Sequence, residues 1–251
     1  MNFQIRKQII LSEVEEKGSI DVKELADQLQ TSEITIRRDL AVLAQKGLLV
    51  RTHGGAVKLS VAKDPITFNN KSAVNAEQKE NIGRLAAAQI QEGDSVFIDC
   101  GSTTFHMCPF IKHLNIKVVT NSLPIMYTLV DSSIKLNIAG GEIDAERQAV
   151  HGLMAIEHLK RYKVDKAFIG VDGLSLTNGL SAASEKEASI STAMAENAHH
   201  VFLLCDSSKL EKERYFQFAP LTIIHTLITD NQAPIQLLEK YTKAGIQVLT
   251  A

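Results

Sequence analysis

The sequence predicts an α/β chain in two parts: a small helical domain carrying a β-wing, and a larger domain built on a mainly parallel sheet. Three observations predict it. Through about residue 60, apolar positions recur three times at helical spacing and two short strand-like runs follow. From Asn75 onward, short apolar runs alternate with helix-like segments, the pattern of strands buried on both faces by crossover helices. Between them, residues 58–74 (KLSVAKDPITFNNKSAV) break periodicity and carry Pro65 and the pair Asn69-Asn70, as a linker does. The expected boundaries are residues 1–58 for the small domain, 59–74 for the linker and 75–251 for the large one.

In the small domain, Ile5, Ile9, Ile10 and Val14 form an apolar stripe closed by Lys17-Gly18. Val22, Leu25, Ala26 and Leu29 form a shorter one, capped by Asp21. Ser32 is a good N-cap for a third helix, because its hydroxyl can accept from the free amides of the first turn, and Ile36, Leu40 and Leu43 give that helix its buried row. Steps of 100° put Ile34, Arg38, Ala41 and Gln45 opposite, with Thr35 and Arg37 on the flanks. Gly47 stops the helix, Leu48–Arg51 and Ala56–Leu59 read as a two-stranded wing, and His53-Gly54-Gly55 suits its turn. Three helices and a hairpin in this space match the winged helix-turn-helix plan, which sets the third helix in the DNA major groove. Arg38 and Thr35 are then candidates for base edges and Arg37 for a base or a phosphate. Ser32, Arg51, His53 and Lys58 are candidates for backbone positioning. An isolated Arg37-Arg38 pair would read as a solvated helix face; the surrounding helices change that reading.

In the large domain, helices are expected at Glu77–Gln89, from Gly101 through His113, from Pro124, and at Gly152–Tyr162, Ala183–Asn197 and Pro234–Ala244. Strands are expected at Ser95–Asp99, Ile116–Thr120, Lys135–Ala139, Lys166–Gly170, Val201–Cys205, Thr222–Thr229 and Gln247–Thr250. Such sheets bind ligands beyond the carboxyl ends of their strands. The loops there have suitable chemistry. Gly101 lets backbone approach a ligand while Ser102, Thr103 and Thr104 offer amides and hydroxyls to an anion, a phosphate cradle without a Walker lysine. Thr120-Asn121-Ser122, Gly140-Gly141, Gly170-Val171-Asp172-Gly173 and Asp206-Ser207-Ser208-Lys209 follow successive strands. Carboxylates suit sugar hydroxyls, and Lys209 suits a phosphate. Taken singly, each loop reads as a capped βα turn.

The segments RKQIILSEVEEKGSIDVKELADQL, TSEITIRRDLAVLAQKGLLVRTHGGA, DCGSTT, TNS, AGGEI and DSSK resemble, in this order and over nearly the whole chain, the DeoR family of bacterial transcriptional regulators. The first two carry most of the specificity. Thr31 departs from the apolar residue more usual there, which bears on helix packing rather than DNA contact. The resemblance implies a C-terminal domain that senses a phosphorylated sugar or related metabolite, with a fold similar to ribose-5-phosphate isomerase and CoA-transferase-like domains. Position by position it implies an effector site at Asp99, Gly101, Ser102, Thr103, Asn121, Gly140, Gly141, Asp172, Glu185 and Lys209. Glu185 reads equally as a charge favoured by a helix N-terminus. Arg147 and Lys186 read either as further anion partners or as solvated.

A formal net charge of −2 argues against a generally basic nucleic-acid binder, yet residues 1–60 carry nine Lys/Arg against eight Asp/Glu, so basic surface must be local to the recognition helix and wing. Cys100, Cys108 and Cys205 have no C-x-x-C spacing, and neither His106 nor the pair His199-His200 has metal-ligand spacing, so no metal and no cofactor other than the effector is expected. Without a signal peptide or a bilayer-length apolar run, the cytoplasm is the expected compartment, with no membrane partner. Operator double-stranded DNA and a homo-oligomer, dimer or tetramer, are the expected macromolecular partners, since one recognition helix reads too few base pairs. Three readings stand at this point. The chain is a repressor released by a phosphorylated sugar; or a sugar-phosphate isomerase with an appended DNA-binding domain, using Asp99, Asp172, Glu185 and Lys209 for proton transfer; or an architectural DNA-binding protein whose large domain only oligomerises.

Overall fold

The computed structural model describes residues 3–45, 48–51, 54–57 and 68–251. The chain divides into two compact units, Met1–Val74 and Asn75–Ala251.

In the first unit, α1 (Phe3–Lys17) leads into β1 (Ser19–Asp21), α2 (Val22–Gln28) and α3 (Glu33–Gln45), followed by β2 (Val50–Arg51) and β3 (Gly55–Val57). Ile10, Val14, Leu25, Ile36, Leu40 and Leu43 converge on one core with Leu49 and Ala56. Ile5 departs from the expected stripe and is 48% exposed. The wing is a three-stranded antiparallel sheet in the order β1-β3-β2, not the expected two-stranded ribbon. β1 takes up the edge of β3 that a simple hairpin would leave open, and at three residues it is too short to show alternation. Gly55 makes this pairing feasible: a Cβ there would lie 1.8 Å from the Ile20 carbonyl oxygen. Asp21 caps α2 by accepting from the amides of Lys23 at 2.7 Å and Glu24 at 3.2 Å. Within the segment expected to be a linker, α4 (Phe68–Ala73) is helical, buries Phe68 and packs on α3. His53, Lys58, Gly47 and the rest of the expected linker before Phe68 lie outside the described residues.

The second unit opens with α5 (Ala76–Ala87), β4 (Ser95–Ile98), α6 (Ser102–Phe105), α7 (Cys108–Ile111), β5 (Lys117–Thr120), α8 (Leu123–Leu129) and β6 (Lys135–Ile138). The hairpin β7 (Glu142–Asp144) and β8 (Ala149–His151) comes next, then α9 (Leu153–Leu159), β9 (Val164–Gly170), β10 (Gly173–Ser175), β11 (Gly179–Ala182) and α10 (Glu185–Ala195). The chain closes with β12 (Ala198–Leu204), a 3₁₀ turn at Ser207–Lys209, β13 (Phe216–Ala219), β14 (Thr226–Thr229), α11 (Ile235–Lys243) and β15 (Gln247–Thr250).

Seven of these strands form one parallel sheet in the order β15-β14-β12-β9-β4-β5-β6. One face packs Phe97, Ala167, Ile169, Leu203 and Leu227 against α9, α10 and α11; the other packs Val96, Ile98, Phe168, Phe202 and Ile228 against α5 to α8. The fold class is therefore the expected one, a winged helix-turn-helix followed by a doubly covered parallel sheet. Two expected elements change. The helix through His113 is two short helices, because Pro109 near the start of α7 cannot continue a preceding helix. The strand expected at Thr222 starts at Thr226, after a 3₁₀ turn over Leu221–Ile223. A second, antiparallel sheet, β10-β11-β13, was not expected. Among the described residues, no helix is long and apolar enough to cross a membrane.

Candidate functional site

The strand order contains one reversal. From β4 the chain builds outward through β5 to β6, then returns to the other side of β4 with β9 and continues through β12 to β15. The carboxyl ends of β4 and β9 thus flank the strand-order reversal, the point where parallel α/β sheets take their ligands.

Asp99 lies at this reversal and is itself 4% exposed. One carboxylate oxygen accepts from the Gly101 amide at 2.8 Å and the Thr104 hydroxyl at 2.8 Å; the other accepts from the Gly170 amide at 2.7 Å. Burial pushes its pKa up, and these hydrogen bonds, with the Lys209 charge, work in the opposite direction. Gly101 and Gly170 pack backbone against backbone: a Cβ on Gly101 would lie 2.8 Å from Asp99 Oδ1, 3.1 Å from Thr104 Oγ1 and 3.4 Å from the Gly170 Cα. Asp99 therefore holds the ends of the two strands in register, and its hydrogen-bonding capacity is largely spent on the protein itself.

Other polar groups at the strand ends remain unspent. Thr103 and Asn121 are 1% and 0% exposed, and Thr103 Oγ1 and Asn121 Oδ1 meet no hydrogen-bond partner among the described residues. The Asn121 amide group is fixed at its other end, donating to the Val150 carbonyl at 3.0 Å. Ser102 is buried, and no described residue hydrogen-bonds its hydroxyl. Buried polar atoms without partners are uncommon in folded chains, and each calls for an explanation.

Lys209 lies 3.9 Å from Asp206. Burial works against the Asp206 charge, but Lys209, the Ser208 hydroxyl, Lys79 and Asn75 together hold its carboxyl below the usual range. Asp172 accepts from the Ala183 amide at 3.1 Å, tying β9 to the approach to α10. Gly140 donates to His158 Nδ1 at 3.2 Å and faces open space, whereas a Cβ on Gly141 would strike the His151 carbonyl oxygen at 2.6 Å. Glu185 is exposed in the first turn of α10, where Ser184 is the cap and Glu187 the third residue. Arg147 pairs with Glu187 at 3.0 Å and Lys186 with Glu142 at 3.0 Å, so both of these cations have carboxylate partners within the fold. The structure thus places Asp99 and Gly101 just after β4, Ser102 and Thr103 in α6, Asn121 just after the neighbouring β5, Asp172 after β9 and Lys209 in the 3₁₀ turn after β12; Gly140 and Gly141 follow the outer strand β6.

Three residues at these ends had not been singled out as sites. Arg214 donates from Nε to the Asp172 carbonyl at 3.1 Å, and no described residue takes up its terminal nitrogens. His151, at the end of β8, is 1% exposed and lies by the Lys186 backbone. Lys79 on α5 is buried and acts electrostatically on Asp206. In the sequence, Arg214 lies in a Lys-Glu-Arg run indistinguishable from a solvated loop, and His151 and Lys79 are lone residues without diagnostic spacing.

On the DNA-binding side, Ser32 Oγ caps α3 by accepting from the Thr35 amide at 3.2 Å and lies 2.9 Å from the Thr35 hydroxyl. Arg37 pairs with Glu33 at 2.9 Å on the exposed surface, while Arg38 and Arg51 are exposed with no described carboxylate partner. Arg6 of α1 grips Asp39 of α3 through Nε at 2.5 Å and Nη2 at 3.2 Å, which locks the recognition helix to its support.

Two family models match this chain. One, described as a DeoR-like helix-turn-helix domain, spans residues 6–61; the other, described as a DeoR C terminal sensor domain, spans residues 74–231. The chain belongs to the DeoR family of transcriptional regulators. It is 38% identical over 249 residues to the lactose phosphotransferase system repressor of Lactococcus lactis, covering 97% of both chains. It is 37% identical over 247 residues to the transcriptional repressor GlcR of Bacillus subtilis, covering 96% of this chain and 93% of that one. The glycerol-3-phosphate regulon repressor of Escherichia coli is 29% identical over 241 residues, 95% of each chain. Among solved structures, ribose 5-phosphate isomerase A from Methanocaldococcus jannaschii aligns with a TM-score of 0.41 at 20% identity, over 55% of this DeoR-family chain and 56% of that one.

Proposed function

We propose that this DeoR-family regulator represses a sugar-metabolism operon and is released from its operator by a phosphorylated sugar bound at the carboxyl ends of β4 and β9. The observation that carries the sensor reading is the pair of buried, unpartnered oxygens on Thr103 and Asn121 beside the Gly101–Gly170 approach, at the one strand-order reversal in the sheet. Ser102, Thr103 and the Gly101 loop supply amides and hydroxyls for the phosphate, with Lys209 as the nearby cation; Asn121 and Asp172 meet hydroxyl groups; Gly140 leaves room. Asp99 acts by shaping the loop, and Glu185 borders the site from α10. Relatives named for the lactose phosphotransferase system and the glycerol-3-phosphate regulon support a metabolite of this class.

On DNA, Arg38 and Thr35 read base edges, Arg37 reads a base or exchanges its Glu33 partner for a phosphate, and Ser32, Arg51, His53 and Lys58 position the backbone. A homo-oligomer in the cytoplasm doubles the operator half-sites read. Linkage requires that an effector lowering operator affinity bind more weakly, by the same factor, to the operator complex. Of the four proton-transfer candidates of the isomerase reading, Asp99 is already engaged by two backbone amides and a hydroxyl. The test is thermal unfolding of the full chain against a panel of phosphosugars and their unphosphorylated counterparts. A concentration-dependent rise in midpoint with one phosphosugar, absent in Ser102→Ala and Lys209→Ala, is expected. No shift with any phosphosugar refutes the sensor reading, and turnover of one revives the isomerase.

A further inference from the structure

We propose that Ile34 reads the C5-methyl group of a thymine in the operator major groove and so fixes one A·T pair of the recognised sequence. The inference rests on the DNA-binding reading of α3.

Ile34 is the second residue of α3 and is 79% exposed, whereas the helix buries Ile36, Leu40 and Leu43 almost completely on its other side. It therefore adds nothing to the core of its own domain. A single exposed isoleucine is ordinary on a protein surface. Its position is what gives this one a role. It stands one turn before Arg38 on the same helix face, in the N-terminal part of the helix from which helix-turn-helix proteins contact base edges. With Phe3 and Arg6 of α1 and Thr35, Arg38, Asp39 and Val42 of α3 it lines a depression between the two helices.

The polar groups beside it also meet partners within the domain. Thr35 faces the Ser32 hydroxyl, Arg37 is held by Glu33, and Asp39 is held by Arg6. At the centre of the reading face, an aliphatic side chain offers neither donor nor acceptor, so placing it against a polar base edge would leave that edge unserved. Of the features that base pairs display in the major groove, the thymine methyl is the apolar one. Covering one methyl is worth about 0.8 kcal/mol, which is about fourfold in affinity.

The test uses the full chain and a duplex enriched by it from a random library, scanned by replacing each thymidine with deoxyuridine, which removes the methyl and leaves the hydrogen-bonding edge intact. Wild type is expected to lose about fourfold at one thymine per half-site. Ile34→Ala is expected to show no penalty at that position while retaining those of unrelated substitutions, and Ile34→Val is expected to be intermediate. Their thermal midpoints should match wild type, since the side chain is outside the core. A deoxyuridine penalty that persists undiminished in Ile34→Ala overturns the inference, as does a duplex in which no thymine is methyl-sensitive. An Ile34→Ala defect equal on all sequences would assign the residue to protein–protein contact instead. Failure of wild type to enrich any sequence would overturn the DNA-binding reading itself, and with it this inference.

Discussion

Asp99, at the end of β4, accepts a hydrogen bond from the backbone amide of Gly170, 71 residues away at the end of β9, at 2.7 Å. The same carboxylate holds Gly101 and Thr104, so one side chain ties together the ends of the two central strands. Asp99→Asn keeps the shape but replaces one acceptor oxygen with a donor facing an amide. The expected loss is about 2 kcal/mol of stability, the scale of a hydrogen bond to a charged group, read from urea unfolding of the full chain. An unchanged midpoint would show that the clamp is dispensable.

Two glycines in the proposed pocket should respond oppositely to a methyl group. Gly101→Ala places Cβ 2.8 Å from the Asp99 carboxylate and 3.1 Å from the Thr104 hydroxyl, whereas Gly140→Ala meets open space. Gly101→Ala should destabilise by roughly 1–3 kcal/mol, and Gly140→Ala should stay within about 0.5 kcal/mol of wild type. Paired denaturation curves separate the two.

The adjacent arginines of α3 should also diverge. Arg38, without a described partner, is expected to carry roughly 1–3 kcal/mol of discrimination between an enriched duplex and a scrambled one. Arg37, held by Glu33, is expected in its phosphate role to weaken both duplexes alike when changed to alanine, reducing the salt slope by about one. Affinities measured across a salt series check both.

The Arg6–Asp39 pair is largely shielded, with side-chain exposures of 13% and 7%. Removing one partner leaves a desolvated charge behind, so Asp39→Ala should cost about 3 kcal/mol in the N-terminal domain and loosen α3. Reduced helicity and lost operator binding, with phosphosugar binding intact, is the expected pattern.

Stability should also fall as the solution is acidified. Burial holds the His151 pKa below its ordinary value against the Asp144 charge and the Lys186 backbone, with the charges of Arg147 and Lys186 acting in the same direction as burial. Burial, helped by His225 and Lys166, depresses His200 too. A depressed folded-state pKa means that the unfolded chain takes the proton first. Each contribution is full above the unfolded value near pH 6.5 and is lost as pH falls below it. His151→Gln should flatten the stability profile between about pH 7 and 5; an unchanged slope would contradict the assignment.

All seven strands of the parallel sheet were legible because each is an apolar run bounded by polar turns, and the site loops were legible because they are those turns. The short antiparallel strands were not. β8, β10 and β11 are buried at every position, so they show no alternation, and three or four residues give periodicity too little length. Within the site, Ser102 and Asn121 announce themselves by following a strand. Arg214 does not, since its tie to Asp172 spans 42 residues and depends on how the segment before β13 crosses the end of β9. The structure also changes the meaning of an expected residue. Asp99 enters the expected effector site through the family resemblance, and its carboxylate is bound to the Gly101 and Gly170 amides and the Thr104 hydroxyl of the loops around it.

The most direct test of the central claim is operator affinity of the full chain, measured with and without each phosphosugar of a panel. One phosphosugar is expected to weaken operator binding, with Ser102→Ala and Lys209→Ala binding the operator normally but no longer responding. Operator binding indifferent to every phosphosugar would contradict it.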